Sequence, residues 1–97
     1  MRYEIIIAPR AVHGIRSLRA RERAEVEDAI ERYLRNEPER TSKSRIKRLR
    51  GLGHPQYRLR VGEVRIFYDV VGGEVQVLGI VMKSVADEWL RMFGVKS

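Results

Sequence analysis

The sequence predicts an α+β fold: a small antiparallel β-sheet with two N-terminal helices packed on one face and a short C-terminal helix, in the order β-α-α-β-β-β-α. Three observations carry this. An apolar, β-branched run opens the chain at residues 3–8. Helical periodicity follows over residues 21–36. Strand-like runs then recur between two tight-turn signals, Gly62-Glu63 and Gly72-Gly73. At 97 residues the chain reads as one domain, 1–97, with one modest core.

The first run, Tyr-Glu-Ile-Ile-Ile-Ala, predicts a buried strand. Pro9 opens a short helix at a position that tolerates its missing N–H, and Ala11, Ile15 and Leu18 follow at helical spacing. In the next helix Val26, Ala29, Ile30, Tyr33 and Leu34 form one apolar stripe. Glu31 and Arg35 are an i,i+4 pair in the favourable order, and Pro38 ends the helix. Residues 39–50 are polar and basic, a loop leading to a short strand near 46–49. A hairpin comes next, 57–61 and 64–68 around Gly62-Glu63. Residues 75–82 are apolar on both faces and predict a central strand. Ser84, with Asp87 three residues on, predicts the N-cap of a last helix over 85–93, and Gly94 its C-cap. The sheet face away from the two early helices is expected to stay partly open.

Charge narrows the function. Twenty Lys/Arg against thirteen Asp/Glu leave +7, and sixteen of the twenty are Arg, the cation suited to bidentate phosphate contacts. Residues 40–65 hold nine of the cations and one acid, Glu63, while the remainder is nearly balanced. A basic stripe on a balanced body suits RNA, DNA or an acidic protein partner. There is no cysteine, which excludes disulfides, zinc–thiolate sites and a Cys nucleophile and fits a reducing cytoplasm. Met1-Arg2-Tyr3-Glu4 shows no signal-peptide pattern, and no apolar run reaches the roughly 20 residues of a membrane span. Two isolated histidines do not make a metal site, and no cofactor is expected.

Within the hairpin, strand alternation puts Arg58 and Arg60 on one face with Leu59 on the other, and Arg65 returns beside them on the next strand. Three guanidiniums held by rigid strands form a phosphate clamp. They suit electrostatic stabilisation and poorly suit proton transfer, since a guanidinium stays charged. Lys83 is the nearest candidate acid or base. His54 reads as a bystander before Pro55, and the hydroxyls of Tyr57 and Tyr68 belong either to the site or to the core. Arg45, Lys47, Arg48 and Arg50 in the basic loop are candidate RNA or phosphate contacts. Trp89 is a core anchor or a base-stacking platform.

Leu49-Arg50-Gly51, Tyr57-Arg58-Leu59-Arg60 and Arg65-Ile66-Phe67-Tyr68, in this order of elements, resemble the RelE/ParE toxin superfamily, and the RelE-like branch in particular. The resemblance covers almost the whole chain. It implies a toxin of a type II toxin–antitoxin system that is held inactive by a cognate, acidic antitoxin. RelE-like members act as ribosome-dependent mRNA endoribonucleases, or mRNA interferases. They cut in the A site by 2′-OH attack, leaving a 2′,3′-cyclic phosphate and inhibiting translation and growth. On that resemblance the catalytic positions fall at Arg58, Arg60 and Arg65, with a further basic position near Lys83 and an aromatic near Trp89. Lys83 and Trp89 depart from the Arg or His and the Tyr usual there. A ParE-like inhibitor of DNA gyrase, and a non-catalytic relative that only binds antitoxin or RNA, are the alternatives.

Overall fold

The computed structural model describes residues 2–96. A five-stranded sheet runs in the order β1-β6-β5-β4-β2, from β1 (Glu4–Ile7), β2 (Ile46–Arg48), β4 (Tyr57–Val61), β5 (Val64–Val71) and β6 (Glu74–Met82). Helices α1 (Pro9–Arg16) and α2 (Ala20–Ala29) follow β1, and α2 continues into a π-helical turn over Ile30–Leu34. Helix α3 (Ala86–Phe93) comes after β6 through a 3-10 turn at Lys83–Val85. A separate two-stranded sheet joins β3 (Leu52–His54) to β7 (Val95–Lys96). Among the described residues no helix is long and apolar enough to cross a membrane.

The predicted fold class holds, with four differences. β1 pairs with β6 in parallel, so the sheet is mixed. β1 is also an edge strand with alternating exposure, and Ile6 faces outward, because only β6 flanks it. Val85, not Ser84, is the N-cap of α3, since the 3-10 turn occupies Lys83–Val85; Gly94 is its C-cap as expected. The β3–β7 sheet was not legible, because two- and three-residue strands carry no periodicity.

The sheet separates two apolar layers. On one face Val26, Ala29, Ile30 and Leu34 pack with Leu59, Ile66, Tyr68, Val75 and Val77. Tyr68 lies fully buried there, donating its hydroxyl to the Pro38 carbonyl at 2.7 Å and stacking on Tyr57 at 5.5 Å. Burial pushes the hydroxyl pKa of both tyrosines upward, so they are core side chains that stay protonated. The Glu31–Arg35 pair forms at 2.6 Å, and Arg35 also donates to the Tyr3 carbonyl, tying α2 to the first strand.

The second layer is smaller: Phe67, Ala86 and Trp89, with Leu49, Leu78, Val81 and Leu90 around them. It fastens α3 over β5 and β6. Trp89 stacks on Phe67 with ring centroids 5.0 Å apart, and Gly79 makes the space for it: a Cβ there would lie 2.3 Å from the indole. Arg10 reaches across from α1 to sit 3.7 Å over the Phe93 ring.

A cationic cavity as the candidate functional site

Strand register builds the site. Across the sheet, Lys47 of β2 is level with Arg58 of β4, Arg58 with Phe67 of β5, and Phe67 with Gly79 of β6. The next row is Arg60, Arg65 and Val81. All of these share the face that carries α3. The helix covers Phe67, Gly79 and Val81 on the β5–β6 side, and leaves Arg65 and the cationic β2–β4 side uncovered. The face expected to be partly open is therefore half closed by Trp89.

At that boundary lies a cavity of about 340 Å³, lined by Lys47, Leu49, Arg58, Arg65, Phe67, Lys83, Ala86, Asp87 and Leu90. Four cations meet over an apolar floor. Arg58 is the most constrained of them. Its Nε is buried with no hydrogen-bond partner. Burial, then the nearby charges of Arg65 and Arg60, hold its pKa below the usual guanidinium value, although it remains charged. Desolvated cations crowded together favour an anion between them.

Arg65 is placed differently from its sequence expectation. It is only 7% exposed, and its Nη1 donates to the carbonyls of Gly62 at 2.7 Å and Val64 at 3.0 Å. It clamps the β4–β5 turn, where Gly62 takes a positive φ, and also lines the cavity. Arg60 is exposed beside it and does not line the cavity.

The basic loop divides by alternation. Lys47 points into the site, whereas its neighbours on either side do not. Arg48 lies 5.2 Å from the Tyr57 ring and donates to the Gln56 carbonyl at 2.8 Å. Arg45 sits 5.0 Å from the Tyr33 ring, on the helix side, and donates to the Arg60 carbonyl at 3.3 Å. The two-residue period of β2 turns Arg48 away from the cavity, while Arg45 precedes the strand and is held away by the Tyr33 ring and the Arg60 carbonyl. Arg50 is exposed in the loop before β3. Trp89 needs correction as a stacking platform: it is 8% exposed, its ring engaged by Phe67 and Phe93.

One pairing had no signal in the sequence. His54 Nδ1 contacts Asp69 Oδ2 at 2.6 Å, and Asp69 Oδ1 accepts the Gln56 N–H at 2.7 Å. Asp69 is 4% exposed, while its imidazole partner faces water. The carboxylate holds both sides of Pro55 and so fixes the path of β3 into β4. Asp69→Ala leaves the partly buried Gln56 N–H unpaired and is expected to cost about 1–2 kcal/mol. Urea denaturation measures this, and amide exchange in β3 and β7 should rise with it.

No protein-family model and no curated protein matches the chain. Solved structures of similar fold do. The RelB–RelE antitoxin–toxin complex from Methanococcus jannaschii is 23% identical with TM-score 0.68, over 87% of this chain and 96% of that one. The archaeal RelE–RelB complex from Pyrococcus horikoshii is 26% identical with TM-score 0.63, over 86% and 97%. A mutant of the E. coli toxin RelE in the free state is 18% identical with TM-score 0.56, over 96% and 99%. These likenesses extend over most of each chain, and the chain therefore has the RelE-like α+β fold.

Proposed function

We propose that this chain is the toxin of a toxin–antitoxin pair and that its cationic cavity cuts messenger RNA on the ribosome. The observation that carries the reading is Arg58: a charged side chain with a buried, unpartnered Nε, near the charges of Arg60 and Arg65, in a cavity where Lys47, Arg65 and Lys83 meet it over an apolar floor. Such an arrangement costs stability in the free chain and is relieved when a phosphate enters. The RelE-like fold supports the same reading.

In the proposed reaction the 2′-oxygen attacks the adjacent phosphorus, O5′ leaves, and a 2′,3′-cyclic phosphate remains. Lys47 and Arg58 neutralise the nonbridging oxygens, and charge builds on these in the transition state. Arg65 sets the hairpin turn and adds its charge to the wall. Arg60, at the rim, steers the strand. Lys83, at the start of the 3-10 turn, supplies the proton to O5′.

The partner reading is supported by two solved structures of similar fold that are complexes with the antitoxin RelB. It is supported as well by an apolar groove of about 720 Å³ between α1 and α3, with Val85, Met92 and Phe93 exposed nearby. An acidic antitoxin segment with apolar anchors fits such a groove on a +7 chain.

A cell-free translation assay tests the nuclease, with mRNA 5′ ends mapped by primer extension. Cuts at A-site codons are expected with ribosomes and none without them. Intact mRNA in both conditions would refute the nuclease reading. A simultaneous change in plasmid topology would then move the assignment to gyrase inhibition.

A further inference from the structure

Attack by a 2′-OH requires a group that takes its proton, and guanidiniums do not supply one. Among the side chains lining the cavity, Asp87 is the one carboxylate. We propose that Asp87 is the general base of this cavity, a role that rests on the nuclease reading above.

Asp87 stands in the first turn of α3, flanked by two residues that bury their side chains, Ala86 and Trp89, in the second apolar layer. The helix therefore carries the carboxylate as a fixed part of the cavity wall. It is exposed, and none of the ion pairs among the described residues includes it. Its neighbour Glu88 is tied to Arg91 at 2.5 Å and does not line the cavity.

The other candidate bases face elsewhere. Tyr57 and Tyr68 lie in the apolar layer beneath the opposite sheet face. His54 has Nδ1 against Asp69 and is not among the residues lining the cavity. In the step itself the 2′-O–H bond breaks and its proton passes to an Asp87 oxygen. The freed electron pair forms the O2′–P bond. The P–O5′ bond breaks with its pair on O5′, which takes a proton from the Lys83 ammonium. Exchange with water then returns the Asp87 proton to Lys83.

The test is single-turnover cleavage of ribosome-bound mRNA by the full chain and by Asp87→Asn, Asp87→Glu and Glu88→Gln. Asp87→Asn should slow cleavage about 100-fold or more, with ribosome affinity changed less than about threefold. Asp87→Glu should recover part of the rate, and Glu88→Gln should match the parent. Asp87→Ser provides a second deletion of the carboxylate if the Asn variant loses its circular-dichroism signal. Parent-like cleavage by a folded Asp87→Asn or Asp87→Ser overturns the role of Asp87 and leaves the nuclease reading standing. Failure of the parent to cleave overturns both.

Discussion

Arg58→Met is expected to abolish growth arrest and to lower mRNA cleavage about 100-fold or more, while the protein stays folded and melts at a higher temperature. Two opposite effects meet at this residue. On the proposed nuclease reading, catalysis would lose a desolvated guanidinium aimed at the phosphate, and single donors aimed at developing charge are commonly worth about 100-fold or more. Folding loses a penalty. The Arg58 Nε has no partner, and Arg60 and Arg65 stand close to its charge. Methionine keeps the flexible stem and removes the buried donor and the repulsion. Relief of about 1 kcal/mol would raise Tm by about 4–8 °C in a domain of this size. Toxicity in expressing cells and a thermal melt of the purified variant check both halves. A folded variant with unchanged toxicity would remove Arg58 from the site, and a large drop in Tm would show that its charge supports the fold.

Gly79→Val has the largest expected effect on stability. A Cβ at this position meets the Trp89 indole at 2.3 Å, and the strand backbone is held because Gly79 pairs with Phe67 of β5 and the opposite sheet face carries the main core. Trp89 must leave its seat on Phe67, with the loss of most of the second apolar layer. Large core disruptions of this kind cost about 3 kcal/mol or more. A marginally stable domain then loses a large part of its margin. The site is lost with it, because α3 and its preceding turn bring Lys83 and Asp87 to the cavity. The check is a double-mutant cycle with Trp89→Leu, read by urea denaturation. The two changes together should cost less than Gly79→Val alone, since the smaller side chain restores room. An additive result would place the clash elsewhere.

Much of the fold was legible because its signals are local. Pro9 at the first helical turn, the stripe from Val26 to Leu34 and the turn at Gly62-Glu63 each specify an element within a few residues. The shared face of Arg58, Arg60 and Arg65 followed from alternation and the hairpin register alone. Other features depend on contacts between distant segments. The Asp69–His54 contact joins the end of β3 to β5, and β3 meets β7 across some forty residues of chain. Arg65 reads as a phosphate contact in the sequence, yet the turn carbonyls beside it claim its Nη1. Trp89 reads as an anchor sooner than a platform, and Gly79 beneath it makes the seat that fixes it as an anchor.

By itself the sequence determined the order of the main elements, the basic stripe and the face on which the hairpin arginines lie. Backbone periodicity and composition act along the chain and need no knowledge of what packs against what. Tertiary structure alone decided which of those cations share a cavity. The pairing of β2 with β4 brought in Lys47 and turned Arg48 away, and contacts with Tyr33 and the Arg60 carbonyl hold Arg45 apart. The docking of α3 through Trp89 added Lys83 and Asp87 from the far end of the chain. Burial, which leaves Arg58 without a partner, exists only once those layers close, because desolvation is a property of the packed state and of no single segment.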